Sequence, residues 1–324
     1  MSTTSSKHIG TTVPPSQSSH LQAGPRLGNQ YEEDSFLQAV LARLVPQQTN
    51  ASKAEMTRLG DRVAGDLLPL ARALDKTENQ PRLVHYDAWG KRVDEIVVHP
   101  GWRYMHAAAA EEGIVADGYD GKYESRTLQF AKLLMFNPSS GLYVCLLSLS
   151  RFLAKTDLTN FFFKPRYSCP LAMTDGAVHL LSLFVRRQVS TCDADTATRY
   201  FNDKAPAATV ALAKEALSRL MSRDKARFWT SGQWMTERGG GSDVAFGTET
   251  IARPRPDGTY ALFGYKWFTS ATDADVALTL ARIEGPDGTT RDGSTGLSCF
   301  LLRVRTDQGD LNNIRVSRLK NKLG

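Results

Sequence analysis

The periodicity of apolar residues changes near Trp229, and this change limits the folds open to the 324-residue chain. Before Trp229, apolar residues recur at the three- and four-residue spacing of amphipathic helices. After it, β-branched and aromatic residues alternate between turn dipeptides, as in half-buried strands. Helices followed by strands make an α+β arrangement rather than an alternating βαβ one. We therefore predict fold class α+β, with an all-helical N-terminal domain over residues 31–228 and a β domain over 229–324.

Several segments of the first part carry helix signals. Apolar residues at i, i+4 and i+8 from Phe36 predict a helix that ends at Pro46. The segment Ser52-Lys53-Ala54-Glu55 has the capping-box pattern and predicts the start of the next helix. Further helices are predicted over residues 100–112, 125–136, 140–154, 175–189 and 207–223.

The second part carries strand and turn signals. The pairs Asp257-Gly258, Asp287-Gly288 and Asp292-Gly293 favour tight turns between strands. Strands are predicted over residues 260–263, 266–268, 276–283 and 297–304.

The composition excludes several classes of protein. Residues 1–30 are rich in Ser, Thr, Pro, Gln and Gly and predict a disordered tail. A transit peptide is the alternative, but such peptides are rich in arginine. The longest apolar run, 141–149, is shorter than the roughly 20 residues of a membrane span. With no secretory signal, we expect an intracellular protein with no membrane partner and unknown compartment.

Little in the sequence supports a metal site or a nucleic-acid site. The four cysteines are far apart and lack a nearby histidine pair, which argues against zinc and favours reduced thiols. The net charge of +6 is concentrated near the C-terminus, where six cations stand against two anions after residue 302. A solvated edge or an interface explains this cluster better than DNA binding does, although DNA stays open as a partner.

The segment from Met235 to Asp243 contains a glycine triplet at residues 239–241. Three residues without Cβ let the backbone approach a ligand closely. Thr236 and Ser242 stand on either side, and their hydroxyls suit a flat cofactor with a phosphate tail. The pattern fits neither the dinucleotide motif GxGxxG nor the P-loop. A flexible hairpin loop without function is the alternative.

A second cluster, Gly264-Tyr265-Lys266-Trp267-Phe268-Thr269-Ser270, follows about twenty residues later. Phe268 is expected to pack on a flavin ring, with Thr269 and Ser270 near its reactive nitrogen. The alternative for the two aromatic residues is a place in the core of a strand.

These residues resemble a known family. Met235-Thr236-Glu237 followed by Gly241-Ser242-Asp243 is similar to the acyl-CoA dehydrogenase signature, and residues 264–270 resemble that family's second flavin motif. Five further segments are similar to its AidB-like branch, and the likeness extends over residues 30–324. These segments are residues 86–92, 99–102, 169–177, 296–300 and 318–324.

The resemblance implies three domains: a helical one, a middle β-barrel and a C-terminal helical bundle. FAD then lies between the last two, in a dimer or tetramer. By position, the resemblance assigns cofactor contacts to Met235, Thr236, Gly241, Ser242, Phe268, Thr269 and Ser270. Trp267 is the alternative ring-facing residue, because the second motif aligns within one position.

The chain stops at Gly324, which corresponds to a point inside the family's middle domain. The resemblance therefore implies an incomplete β domain and no C-terminal bundle. That bundle supplies the family's catalytic glutamate, so no catalytic residue is assigned here. Glu237 and Glu249 are interpreted as motif-capping or solvent carboxylates.

The function implied is FAD-dependent α,β-dehydrogenation of an acyl-CoA, with this chain inactive on its own. Two alternatives stay open. One is a non-catalytic flavin- or DNA-binding module related to the alkylation response. The other is a non-functional gene fragment, which an exposed sheet edge makes prone to aggregation.

Overall fold

The computed structural model describes residues 26–74, 76–123, 126–140, 168–189 and 205–319. Its helices are α1 Gln30–Glu33, α2 Ser35–Leu44, α3 Pro46–Arg62, α4 Leu68–Leu74, α5 Pro100–Glu111, α6 Thr127–Ser140, α7 Ser168–Val189, α8 Ala207–Leu220 and α9 Val244–Gly247. Its strands are β1 Arg82–Tyr86, β2 Arg92–Val97, β3 Ser231–Trp234, β4 Ile251–Pro254, β5 Tyr260–Phe263, β6 Val276–Ile283 and β7 Leu297–Arg303. A π-helical turn, Val63–Leu67, connects α3 to α4. The predicted α+β class is confirmed.

The helices surround a core of apolar side chains that includes Leu41, Met56, Leu128, Phe136 and Leu171, all at most 1% exposed. Burial of such side chains is the main favourable contribution to folding. None of the described helices is both long enough and apolar enough to cross a lipid bilayer. The predicted helices at 100–112, 125–136, 175–189 and 207–223 are confirmed, and residues 141–154 of the remaining one lie outside the described residues.

The buried face of α2 differs from the prediction. The helix begins after Asp34, whose carboxylate accepts the amide of Leu37 at 2.9 Å. Its buried residues are Leu37 and Leu41, whereas Phe36 is 76% exposed. The predicted i, i+4 spacing is confirmed, but the predicted buried face is wrong. Two apolar stripes run along this helix, and the one with Leu37 and Leu41 is buried.

The capping-box prediction at Ser52 is wrong. Helix α3 starts at Pro46, and Ser52 lies within it, 1% exposed. Proline suits the first turn of a helix, since its fixed φ is helical and the amide it lacks has no partner there. Pro46 therefore ends one helix and begins the next.

The N-terminal region is not all-helical, because β1 and β2 form an antiparallel hairpin. The carboxylate of Asp87 accepts the amides of Trp89 and Lys91, both at 2.9 Å, and fixes the connecting turn. Gly90 adopts φ 80° in this turn. The hairpin is not among the elements predicted from the sequence, because its strands are short and lie between long helical segments.

The remaining five strands form one mixed sheet around β6. Strand β7 pairs antiparallel with one edge of β6, while β3 and β4 pair in parallel with successive parts of the other edge. Strand β5 is antiparallel to β4. The predicted strands at 260–263, 276–283 and 297–304 are confirmed, whereas residues 266–268 form only an isolated bridge at Lys266.

A buried ammonium group ties the helices together. Lys132 of α6 is 0% exposed, and its Nζ contacts the carboxylate of Glu55 in α3, that of Asp117 at 2.5 Å and the carbonyl of Glu112 at 2.9 Å. Glu55 is also bound by Lys122 at 2.6 Å, nearer the surface. Burial raises the pKa of Glu55, but hydrogen bonds from Lys122 and Lys132 outweigh it and lower the pKa to about 2. The carboxylate is therefore charged at neutral pH.

We predict that Lys132→Met lowers the free energy of unfolding by about 3–5 kcal/mol, since it leaves buried carboxylates without their cation. The matched control is Lys122→Met, which removes a 40% exposed cation from the same Glu55 and costs less than about 1 kcal/mol. Urea denaturation measures both. Equal losses in the two variants contradict the role given to burial.

Candidate functional site

The two motifs found in the sequence lie side by side in the structure. Isolated antiparallel bridges join Gln233 to Ser270 and Glu237 to Lys266. Both bridges have the same register, because each step forward in the first motif matches one step back in the second. The segment that follows β3 and the segment that follows β5 therefore run alongside each other as an irregular antiparallel pair.

A hydrogen bond between the two bridges keeps this register. The amide of Trp267 donates to the carbonyl of Thr236 at 2.8 Å. Continuing the register places Met235 opposite Phe268. The structure thus brings together five of the predicted cofactor residues and leaves Met235 partly buried against the main core. These five residues are Met235, Thr236, Phe268, Thr269 and Ser270.

A buried ion pair joins the two motifs at one end of their paired segments. Glu237 is 5% exposed, and the Nζ of Lys266 lies 2.5 Å from its carboxylate and 2.7 Å from the carbonyl of Leu280. The carboxylate also accepts the Thr250 hydroxyl at 2.5 Å and the Glu249 amide at 2.8 Å. Burial raises the pKa of Glu237, but these hydrogen bonds together lower it below its usual value. Glu237 is therefore an ionised structural carboxylate.

Gly264 is required for this arrangement. A Cβ at Gly264 lies 2.1 Å from the Thr250 hydroxyl oxygen and 2.9 Å from the Thr250 Cα. Any side chain there displaces Thr250, which binds Glu237. Burial lowers the pKa of Lys266, against the attraction of Glu237. The spacing Gly264-x-Lys266 thus serves the ion pair.

Two glycines of the loop, Gly240 and Gly241, have different surroundings. A Cβ on Gly240 lies 2.9 Å from the Cα of Gly247, so these two glycines pack backbone to backbone. Among the described residues, apart from its two chain neighbours, no atom lies within 4 Å of a Cβ placed on Gly241. Gly240 therefore packs within the protein, and the expectation that the backbone of this loop approaches a ligand stays a prediction. Gly241 and Ser242 are exposed, just before Asp243 caps α9 by accepting the amide of Phe246 at 3.3 Å.

Phe268 presents an exposed ring on a strained backbone. Its φ is 57°, in the left-handed region that aromatic residues rarely adopt, and the residue is 57% exposed. Trp267 is half-buried and packs edge-on against Phe268 at 5.8 Å between ring centroids. The guanidinium of Arg318 lies 5.7 Å from the Trp267 ring centroid. Of the two aromatic residues, Phe268 is the more exposed.

Thr269 and Ser270 belong to a turn held by its own hydrogen bonds. The hydroxyl of Thr272 donates to the Thr269 carbonyl at 2.5 Å, and the indole of Trp234 donates to the Ser270 carbonyl at 3.1 Å. A Cβ on Gly232 comes within 3.2 Å of that same carbonyl. The backbone of this turn is therefore fixed in place beside β3.

Arg282 is not among the predicted site residues, although it stands in an otherwise mostly apolar strand. It is 5% exposed, and its guanidinium donates to the carbonyls of Thr248 at 2.9 Å, Arg291 at 2.6 Å, Gly293 at 3.0 Å and Ala245. It connects the segment after the glycine loop to the turn before β7. An arginine within an apolar strand was the available signal, since such a residue needs partners.

The fold and this pair of motifs agree with comparisons with known proteins. Residues 232–324 match the acyl-CoA dehydrogenase middle domain, and residues 22–150 match the N-terminal domain of the adaptive response protein AidB. The chain belongs to the acyl-CoA dehydrogenase family. The family resemblance stated from the sequence is confirmed.

Two relatives and one solved structure illustrate the similarity. Acyl-CoA dehydrogenase family member 11 of Caenorhabditis elegans is 42% identical, over 100% of this chain and 47% of its own length. AidB of Escherichia coli strain K12 is 31% identical, over 76% of this chain and 37% of its own length. The crystal structure of Caenorhabditis elegans ACDH-11 in complex with C11-CoA matches with a TM-score of 0.76 at 40% identity, covering 99% of this chain and 46% of that one. The chain thus spans about half the length of these relatives or less.

We predict that Gly240→Ala lowers the free energy of unfolding by about 1–3 kcal/mol, because the new methyl group meets the backbone of Gly247. Gly241→Ala is the matched control, since the same methyl group there enters open space and is expected to change stability by less than about 0.5 kcal/mol. Thermal unfolding monitored by circular dichroism compares the two. A larger loss in Gly241→Ala contradicts this assignment of the loop glycines.

Proposed function

We propose that this chain provides one wall of an FAD site in an acyl-CoA dehydrogenase-type oxidoreductase. The observation that carries the proposal is the common antiparallel register of residues 233–237 and 266–270. This register brings a hydroxyl-bearing segment and an exposed aromatic ring to the same place. That combination suits a flat, polar-edged ring system.

The residues present fit the cofactor. Gly241 leaves open space for a ligand to approach the backbone, and Phe268 holds an exposed ring through a strained φ of 57°. Strain of this kind is found at functional sites more often than elsewhere. In the proposal, Met235 and Thr236 hold the pyrimidine edge, Gly241 and Ser242 hold the phosphate tail, and the second motif faces the ring. The ring-facing residues are Phe268, Thr269 and Ser270.

FAD, when bound, supplies the hydride acceptor for the reaction. The residues of this chain would bind and orient it, and the ordered turn after Phe268 would help to shield it from water. Glu237 does not remove a proton from substrate, because its carboxylate is buried and occupied by Lys266, Thr250 and a backbone amide. Its role is to hold the two motifs together.

The proposed substrate class is an acyl-CoA, and the proposed reaction of the whole protein is α,β-dehydrogenation. Support comes from the relative solved in complex with C11-CoA, with which this chain shares 40% identity. That match covers 46% of the relative. We assign cofactor binding to the residues above and leave the proton-abstracting residue unassigned.

The test is FAD affinity of the purified chain, followed by quenching of flavin fluorescence. We predict that Thr236→Ala combined with Ser242→Ala weakens binding at least about tenfold, because two hydrogen bonds, one of them to a charged phosphate, are lost. The wild-type chain is expected to carry a yellow chromophore.

The control pair is Thr289→Ala with Thr306→Ala, which removes two exposed hydroxyl groups from the same part of the chain. It is expected to leave FAD affinity unchanged. Well-folded wild-type chain that stays colourless and ignores added FAD refutes the proposal for this chain.

A further inference from the structure

Arg282 places a positive charge beneath the glycine-containing loop. Its guanidinium is buried and bound to four backbone carbonyls, two of which belong to Ala245 and Thr248. Within the described residues, no Asp or Glu forms an ion pair with it. The buried cations Lys132 and Lys266, in contrast, each contact a carboxylate.

A buried cation without a counter-ion is costly, and carbonyl dipoles offset only part of that cost. Its field also extends further than that of a surface cation, because protein screens charge less than water does. The charge of Arg282 is therefore available to an anion on the other side of the loop.

Backbone segments on both sides of the Arg282 guanidinium fix its position. Ala245 and Thr248 follow Ser242 within six residues, and Gly247 packs against Gly240. Arg282 thus holds the segment that continues the loop and lies behind it. A Cβ on Gly296 would lie 2.8 Å from an Arg282 nitrogen, which shows how closely the second anchored turn packs there.

Two negatively charged side chains lie on the exposed side of the loop. Asp243 and Glu249 are exposed, and the carboxylate of Asp243 caps the amide of Phe246. Solvent and salt screen these two carboxylates more than they screen Arg282. The buried cation is the charge that distinguishes this loop from an ordinary solvent-exposed turn.

We propose that Arg282 is a positioning residue that makes residues 239–248 selective for a ligand carrying a diphosphate. It acts through the loop backbone that it holds and through its unneutralised charge. This inference rests on the proposed flavin function, and for FAD the group selected is the diphosphate bridge. Riboflavin, which has the same ring system and no phosphate, is the natural comparison.

The test compares dissociation constants of FAD, riboflavin and inorganic pyrophosphate, all at one ionic strength, by fluorescence and calorimetry. We expect Arg282→Met to weaken FAD and pyrophosphate about tenfold, as for loss of one partly screened unit charge, and to leave riboflavin unchanged. Arg282→Lys keeps the charge and loses the forked donor, so it is expected to keep the preference for FAD while unfolding more easily. If Arg282→Met does not fold, Arg282→Gln carries the same comparison.

The control is Arg253→Met on β4, which removes an exposed guanidinium paired with Glu284 at 3.0 Å. It is expected to leave the ratio of FAD to riboflavin affinity unchanged. If the ratio of FAD to riboflavin affinity is unchanged in Arg282→Met or Arg282→Gln, the inference is overturned while the flavin proposal stands. Wild-type chain that fails to bind pyrophosphate also overturns it. Binding of pyrophosphate that depends on Arg282, without any binding of FAD, supports the inference and removes the flavin proposal.

Discussion

The ion pair between Glu237 and Lys266 is the interaction on which the candidate site depends. One residue belongs to each motif, and both are largely removed from water. A buried carboxylate must find a cation or several donors, and Glu237 finds both in Lys266, Thr250 and the Glu249 amide. These contacts can form in only one register of the second motif relative to the first. Two neighbouring residues of the motifs, the half-buried Thr236 and the exposed Phe268, take their places from that register.

Buried charges have the same effect elsewhere in the chain. Lys132 joins three helical segments, and Arg282 joins the loop after Ser242 to the turn before β7. Such groups add little net stability compared with apolar side chains of equal size, yet removal of one partner is costly. They explain why particular segments meet, whereas the apolar core explains why the chain folds at all.

Much of the architecture could be predicted from the sequence because long periodic segments dominate it. The bounds predicted for α5, α8, β5, β6 and β7 agree with the observed bounds within a few residues. The hairpin of β1 and β2 was missed, since two short strands give a weak signal between helices. The face of α2 was misassigned because Phe36 and Leu37 are both apolar, and only packing decides between them.

The candidate site was predictable in its residue types and less so in its contacts. The pairing of the two motifs depends on a register that no local pattern encodes. Gly240 packs against Gly247, which is seven residues away, and no local pattern predicts that contact. Arg282 was missed because its partners are backbone carbonyls, which leave no mark in the sequence.

The central claim is that the two motifs form a single flavin-binding surface. A crystal structure of this chain grown with FAD tests it most directly. We predict that the flavin ring lies against Phe268 with its pyrimidine edge at Thr236, and that the Glu237–Lys266 ion pair stays intact behind it. Flavin bound away from both motifs, or motifs that separate with the ion pair broken, would contradict the claim.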